Sequence, residues 1–349
     1  MILARSIGGV RVVVLSCYGK IERTCISSKL GLFVSNLPDT PDDDWKDALK
    51  QELKLTYDVD EIYRAHLGLD YPSGIVELYH RAFPDKSIPE TYTDDHFSEL
   101  AERMICVSLD YEYEDMPLGG WDTNCFDGRC CEDDYAEKIV NFFNFLSNPH
   151  ESVALFPEPI PQWTYSSNHN EIDHYRLFWG GEKADDYIRS LQEWGKLIDE
   201  FLEKREDYLL FDYLVNSIYK DDEHNEYHLM KDYSLCQLLL EKQHESELDI
   251  KLQSFLPERI LDEEKPECTK LLRQLRNKIA HGDFIAFEDK IEEYAVKFMY
   301  GKFWFDYSEY SRKNWAIGSI CGLLDEALRR IIHMLFYDKV ILKNIKNSL

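Results

Sequence analysis

The chain has 349 residues, 44% of them hydrophobic and 13% aromatic, and a formal net charge of −26. This length and composition predict about two domains with buried cores and exclude a disordered chain. The acidity excludes a protein that coats nucleic acid through general basicity, and no apolar run reaches the ~20 residues of a membrane-spanning helix. The nine cysteines are scattered, and we expect a cytoplasmic protein with free thiols.

Strand-type patterns dominate the first half of the chain. Three segments of β-branched or alternating apolar residues are bounded by Gly, Pro or Asp, and we predict strands there. They are GVRVVVLSC from Gly9, GLFVSN from Gly31 and RMICVSLDYEYED from Arg103. Between them, Trp45, Leu49 and Leu53 have helical spacing after a run of aspartates. We therefore predict a mixed α/β domain over residues 1–183.

The pattern changes to helices at about Ala184. Gly180 and Gly181 predict a break before Asp185 and Asp186, and from there apolar residues recur at helical spacing. We predict an all-helical bundle over residues 184–349. The expected fold class is α+β, with the mixed N-terminal domain followed by the C-terminal helical bundle.

The charge is distributed unevenly between the two parts of the chain. Residues 1–250 carry 23 Lys and Arg against 51 Asp and Glu, a balance of −28, whereas residues 251–349 carry 17 against 15, a balance of +2. Between Lys265 and Ile285 there are five basic residues and two acidic ones. A polyanion would be attracted to this basic segment and repelled by most of the remaining chain.

The basic segment contains a predicted helix from Glu267 to His281. At 100° per residue its apolar side chains form one buried stripe, which consists of Cys268, Leu271, Leu272, Leu275 and Ile279. The opposite arc is polar, with Arg276 at its flank, and consists of Lys270, Arg273, Gln274, Asn277 and His281. Gly282 suits the left-handed position after a helix. A Lys and a His in the last turn also stabilise the helix dipole by ~0.3–1 kcal/mol each without any catalysis.

The segment RNKIAHG, Arg276 to Gly282, resembles the signature of the HEPN superfamily. That signature is Arg, a polar residue that is often Asn, three variable residues and His. The surrounding helical pattern is similar too, and the resemblance covers roughly residues 184–349. ApeA-like HEPN proteins of bacterial anti-phage defence place such a domain behind an unrelated N-terminal region, which is the arrangement predicted here.

The resemblance implies a metal-independent endoribonuclease that acts as a homodimer through the C-terminal bundle. It implies that Arg276 holds the scissile phosphate, that His281 is the general base or acid for attack by the ribose 2′-OH, and that Asn277 orients the His or the phosphate. These residue types fit the reaction, because His titrates near neutral pH and Arg is a permanent forked cation. A second proton-transfer group would come from a twofold-related copy. We predict no metal and no other cofactor.

Three further basic residues, Lys270, Arg273 and Lys278, are predicted to bind flanking RNA phosphates, although the family motif does not include them. The chain differs from some HEPN toxins at Asp283, where those toxins have a Tyr that a partner nucleotidyltransferase modifies. We therefore expect no inactivation by that route. Asp283 also places a negative charge beside the predicted site.

Three other groups are candidate metal sites: His169 with His174, His224 with His228, and the cysteines Cys125, Cys130 and Cys131. None is accompanied by a complete ligand set at zinc-site spacing. We favour the interpretation that both histidine pairs belong to polar loops or helix surfaces.

We expect a toxin or abortive-infection effector that cleaves RNA. Its acidic N-terminal domain is predicted to regulate it, either by occupying the basic cleft or by docking a basic phage or host protein that acts as the trigger. Two alternatives stay open. One is a non-catalytic module that binds RNA or nucleotide, or only dimerises; the other is an acidic inhibitor that mimics nucleic acid through residues 1–250.

Overall fold

A computed structural model describes residues 5–17, 22–36, 82–114, 162–166, 172–174, 184–218, 224–242, 247–299 and 309–348, with isolated positions between 47 and 80 and between 138 and 146. The chain divides into two compact units. The first contains Met1–Ser147 and Glu158–Asn216, and the second contains Asn148–Pro157 and Ser217–Leu349. The predicted boundary between residues 183 and 184 lies inside the first of these units.

The first unit contains a six-stranded sheet in which every neighbouring pair is antiparallel, in the order β2-β3-β4-β1-β5-β6. The strands are β1 (Arg5–Cys17), β2 (Thr24–Ser27), β3 (Leu32–Asn36), β4 (Met104–Glu114), β5 (Gln162–Ser166) and β6 (Ile172–His174). Helix α1 (Asp94–Ala101) precedes β4. The three strands predicted from alternating apolar residues are confirmed as β1, β3 and β4. The pattern of the chain did not indicate β2, β5 or β6.

The first unit also contains α2 (Ala184–Phe201) and nearly all of α3 (Arg205–Ser217). Helix α2 packs closely on β2, because a Cβ atom added at Gly195 would lie 2.0 Å from the Ile26 carbonyl oxygen. Asp199 of α2 accepts hydrogen bonds from the Ser27 and Ser28 hydroxyls at 2.5 and 2.8 Å. Burial alone would raise the pKa of Asp199, but the hydrogen bonds from Ser27 and Ser28 outweigh it and lower that pKa.

The second unit is helical wherever the structure describes it in regular elements, as predicted for the C-terminal region. Its elements are α4 (Glu226–Leu240), α5 (Leu248–Leu252) with a 3₁₀ turn at Gln253–Phe255, α6 (Lys265–Ala280), α7 (Phe284–Phe298), α8 (Glu309–Tyr337) and α9 (Lys339–Asn347). Helix α8 is the central element, and its buried residues include Ile320, Leu324 and Leu328 at spacings of four residues. No helix in the described part of the chain is long and apolar enough to cross a membrane.

Candidate active site

Helix α6 carries the predicted site and is held in the second unit by its apolar stripe. The helix has Pro266 in its first turn. Backbone N–H groups there have no partner within the helix, so the missing N–H of proline costs no hydrogen bond. The predicted residues Cys268, Leu271, Leu272 and Leu275 are buried. Ile279 is only partly buried, so the stripe ends one turn before the end of the helix. The last turn therefore leaves the core.

The end of α6 is a Schellman motif. Gly282 has φ +67°, its N–H donates to the Ile279 carbonyl at 3.0 Å, and the Asp283 N–H donates to the Lys278 carbonyl at 3.0 Å. This is the pattern in which a left-handed glycine satisfies the last helical carbonyls. His281 is the C-cap residue, and its side chain is exposed. The turn thus presents His281 to solvent at a defined point where the chain reverses.

Arg276 and Asn277 are brought together beside this end. Arg276 Nη1 donates a hydrogen bond to Asn277 Oδ1 at 3.2 Å. The Arg276 guanidinium lies 6.0 Å from the ring centroid of Tyr233, within the range of a cation–π contact. Arg276 Nε is buried and donates no hydrogen bond to any residue that the structure describes. The arginine is therefore held in place while one of its strong donors is unused.

His281 is placed differently from these two residues. Its side chain makes no hydrogen bond or ion pair with the described residues, so the structure does not join it to Arg276 or Asn277. Asn277 lies four residues before His281 and hence on the same helix face. The amide oxygen of Asn277 accepts the hydrogen bond from Arg276, so Asn277 positions the arginine in this conformation.

The three predicted phosphate-binding residues have different surroundings. Arg273 Nε donates to Asp249 Oδ2 at 2.7 Å, and Lys278 Nζ lies 2.7 Å from Asp283 Oδ2. Lys270 is exposed and has no ion-pair partner among the described residues. Two of the three positive charges are thus balanced by carboxylates. The positive charge of this surface is lower than the sequence indicates, because Arg273 is paired with Asp249, which comes from another helix.

Asp283 has a structural role in this arrangement. Its carboxylate caps α7 by accepting the Ala286 N–H at 3.4 Å, and it pairs with Lys278. The hydrogen bond from Lys278, together with the one from the Ala286 N–H, lowers the pKa of Asp283. Its negative charge is therefore partly compensated beside the site.

Exposed apolar residues follow the site directly. Phe284 is 61% exposed and Ile285 is 81% exposed at the start of α7. Sequence reasoning missed these residues, and it also missed Tyr233 and Asp249. Phe284 and Ile285 were recognisable as two consecutive apolar residues directly after the predicted helix end, whereas no sequence signal links Tyr233 or Asp249 to α6.

The interpretation of His224 and His228 as polar surface is wrong. Their side chains are 8% and 7% exposed, and they face Asp325 of α8 in the second unit. The other two candidate groups cannot be placed in this way. Cys125, Cys130, Cys131 and His169 lie outside the described residues, and His174 is described only as part of the backbone of β6.

Comparison with protein-family models, with curated proteins and with solved structures finds no match to this chain.

Proposed function

We propose that this protein is a metal-independent endoribonuclease of the HEPN type, active as a homodimer and used as a toxin or abortive-infection effector. The observation that carries the proposal is Arg276, whose guanidinium is held by Tyr233 and Asn277 with its Nε donor unused, close in sequence to an exposed His281. A positioned cation with an unused donor and an exposed imidazole close to it in sequence are two of the groups that phosphodiester transesterification needs.

In the proposed reaction, Arg276 binds the non-bridging oxygens of the scissile phosphate and stabilises the charge that develops on them. His281 takes the proton from the ribose 2′-OH, and the 2′-oxygen attacks phosphorus. The 5′-oxygen leaves with a proton from a second acid. The products are a 2′,3′-cyclic phosphate and a 5′-hydroxyl, and the nucleophile belongs to the substrate, so no hydrolytic water is needed.

The second acid is assigned to His281 of a second copy of the chain. One helix supplies a single His, and the exposed side chains of Phe284 and Ile285 begin two residues after Gly282. Burying two such side chains against a second copy would contribute about 1.5–3 kcal/mol each. Dimerisation through this surface would bring two His281 side chains toward one substrate.

The N-terminal acidic region is assigned a regulatory role in this proposal. Residues 1–250, which include this region and the first part of the second unit, carry a charge of −28 that would repel RNA away from α6 and would attract a basic partner. The trigger is proposed to be a phage or host protein of basic character.

The test is RNA cleavage by the full-length protein in EDTA, with and without an extract of phage-infected cells as activator. His281→Ala and Arg276→Ala are compared with wild type and with His80→Ala, a control at an exposed histidine of the first unit. We expect cleavage by wild type and the control, ends with 2′,3′-cyclic phosphate, and a loss of about 10²–10⁴-fold in His281→Ala. Circular dichroism checks that the chelator leaves each fold intact.

The dimer is tested in parallel by light scattering. Ile285→Asp should produce monomers and lose cleavage, whereas Val296→Asp, on the same helix at 68% exposure, should do neither. Identical RNA profiles for wild type and both site variants under every condition would overturn the nuclease. RNA binding without cleavage would instead support the non-catalytic module.

A further inference from the structure

The second unit contains a buried cluster of histidines and aspartates that the proposed nuclease does not use. His224, His228 and Asp232 follow one another at intervals of four residues, just before and along the first half of α4. That spacing places His228 and Asp232 in one row along α4, and His224 lies just before the N-cap residue Asn225. The row faces Asp325 on the central helix α8, 97 residues beyond His228.

The polar atoms of the cluster converge within a small volume. His228 Nε2 lies 2.9 Å from Asp232 Oδ2 and 3.0 Å from Asp325 Oδ1, and His224 Nε2 lies 3.9 Å from Asp325 Oδ2. One ligand atom from each of His224, His228 and Asp325 can be chosen so that all three lie within 4.8 Å of one another. Four donors at about 2.0 Å from a tetrahedral Zn²⁺ stand roughly 3.3 Å apart. The separations of 2.9, 3.0 and 3.9 Å lie on either side of that value.

Hydrogen bonding alone leaves this cluster poorly satisfied. Asp232 is 1% exposed, and its Oδ2 accepts no hydrogen bond of satisfactory geometry from the described residues although His228 Nε2 is close. The other ring nitrogen of His228, Nδ1, is buried without a described partner. The separation of 3.9 Å between His224 Nε2 and Asp325 Oδ2 suits two ligands of one ion.

The charge of the cluster also calls for a cation. Asp232 is 1% exposed, and the carboxylate of Asp325 approaches the same His228 nitrogen from α8 at 3.0 Å. Lys231 Nζ is 3.8 Å from Asp232 Oδ1 and only partly balances this charge. Buried carboxylates are stable when they are paired or coordinate a metal.

We propose that His224, His228 and Asp325, with Asp232 as the fourth donor, bind one divalent transition-metal ion of the Zn²⁺ class that joins α4 to α8. Imidazole nitrogens with carboxylate oxygens suit Zn²⁺ or Co²⁺ better than Ca²⁺ or Mg²⁺, which take oxygen ligands. The histidine side chains are 8% and 7% exposed, and with Asp232 the site would have four protein donors, which is typical of a structural rather than a catalytic ion. The ion takes the place of the proton between His228 and the carboxylates.

The first arm of the test is Co²⁺ titration of the metal-free full-length protein, followed by visible absorption. We expect the bands of tetrahedral Co²⁺ to saturate at about one ion per chain and to disappear on addition of Zn²⁺. Asp325→Asn and His228→Gln should weaken Co²⁺ binding at least about tenfold. His80→Ala is the control and should bind as wild type does.

The second arm uses a cluster variant that should still fold. His224→Gln leaves the contacts of His228 with Asp232 and Asp325 in place, so it should fold and still lose the Co²⁺ spectrum. Zn²⁺ should raise the unfolding temperature of wild type and of His80→Ala but not of His224→Gln. Equal metal binding by wild type and all cluster variants, or no binding by folded wild type, would overturn the site and leave a protonated His228 as the bridge between the carboxylates.

The metal site and the nuclease are tested independently. His281→Ala should keep the full Co²⁺ spectrum while it loses RNA cleavage. Cleavage is measured in EDTA on protein whose fold is checked by circular dichroism, and Co²⁺ binding is measured without RNA, so a negative result in one assay does not count against the other proposal.

Discussion

Two rows of polar residues in the second unit have the same four-residue spacing and opposite surroundings. Arg273, Asn277 and His281 lie on the outer face of α6, and His281 is exposed. His228 and Asp232, on α4, are 6% and 1% exposed and are covered by α8. An exposed imidazole can exchange protons with a substrate, whereas a buried one can hold a charge only with partners around it. Burial, and not spacing, is therefore the observed difference between the row of the proposed nuclease and the row of the proposed metal site.

The largest expected effect is the loss of stability when His228 is replaced in the buried row of α4. His228→Leu in the metal-free protein removes the imidazole between two carboxylates and should destabilise the second unit by about 3–5 kcal/mol. The matched variant His281→Leu at the exposed row should change stability by no more than about 0.5 kcal/mol. Urea unfolding followed by circular dichroism measures both. Equal losses in the two variants would contradict the contrast between the rows.

The next effect concerns the turn that presents His281. Gly282→Ala places a side chain at φ +67°, where an added Cβ meets only the Phe284 ring, at 4.0 Å. The cost is therefore backbone strain of about 1–2 kcal/mol, and RNA cleavage should fall because the C-cap shifts. The control is Gly318→Ala in the interior of α8, where no atom lies within 4 Å of the added Cβ. That change should be neutral or stabilise by about 0.5–1 kcal/mol. Thermal unfolding and cleavage assays of both variants check the prediction.

A smaller effect tests which positive charges are available to RNA. Lys270→Gln should weaken binding of single-stranded RNA a few-fold and reduce the salt slope of the affinity by about 0.7. Lys278→Gln should change the slope less, because Lys278 already pairs with Asp283. Binding measured at several salt concentrations, with His281→Ala as the background so that RNA stays intact, gives both slopes. A larger change in Lys278→Gln would show that the ion pair opens on binding.

The smallest effect concerns pH. The hydrogen bond from Lys278 lowers the pKa of Asp283, so its cap on α7 is present above the unfolded pKa of about 3.9 and is lost as pH falls through the lower folded pKa. Between pH 5 and 8, Asp283 should stay ionised, and its charge is paired with that of Lys278. The pH profile of cleavage should therefore have the same midpoint in wild type and in Asp283→Asn. A shifted midpoint would mean that the Asp283 charge acts on His281.

Local features of the fold were predictable from the sequence because they depend on neighbouring residues. The strands β1, β3 and β4 have alternating or β-branched apolar residues, and α6 has a stripe at helical period with Gly282 after it. β5 and β6 were not predicted, because both are short and their strand character depends on pairing with β1 or with each other. The exposure of His281 followed from the helix projection and the cap.

The sequence by itself determined which residues share a helix face and where α6 ends, since the period of 3.6 residues and the left-handed preference of glycine act locally. Only the tertiary structure decided what each face meets. Asp249 neutralises Arg273 from another helix, Tyr233 holds Arg276, and Asp325 reaches His228 from 97 residues away. Such pairs form because packing of apolar stripes brings distant helices together, and the spacing of residues along one helix contains no information about its neighbour.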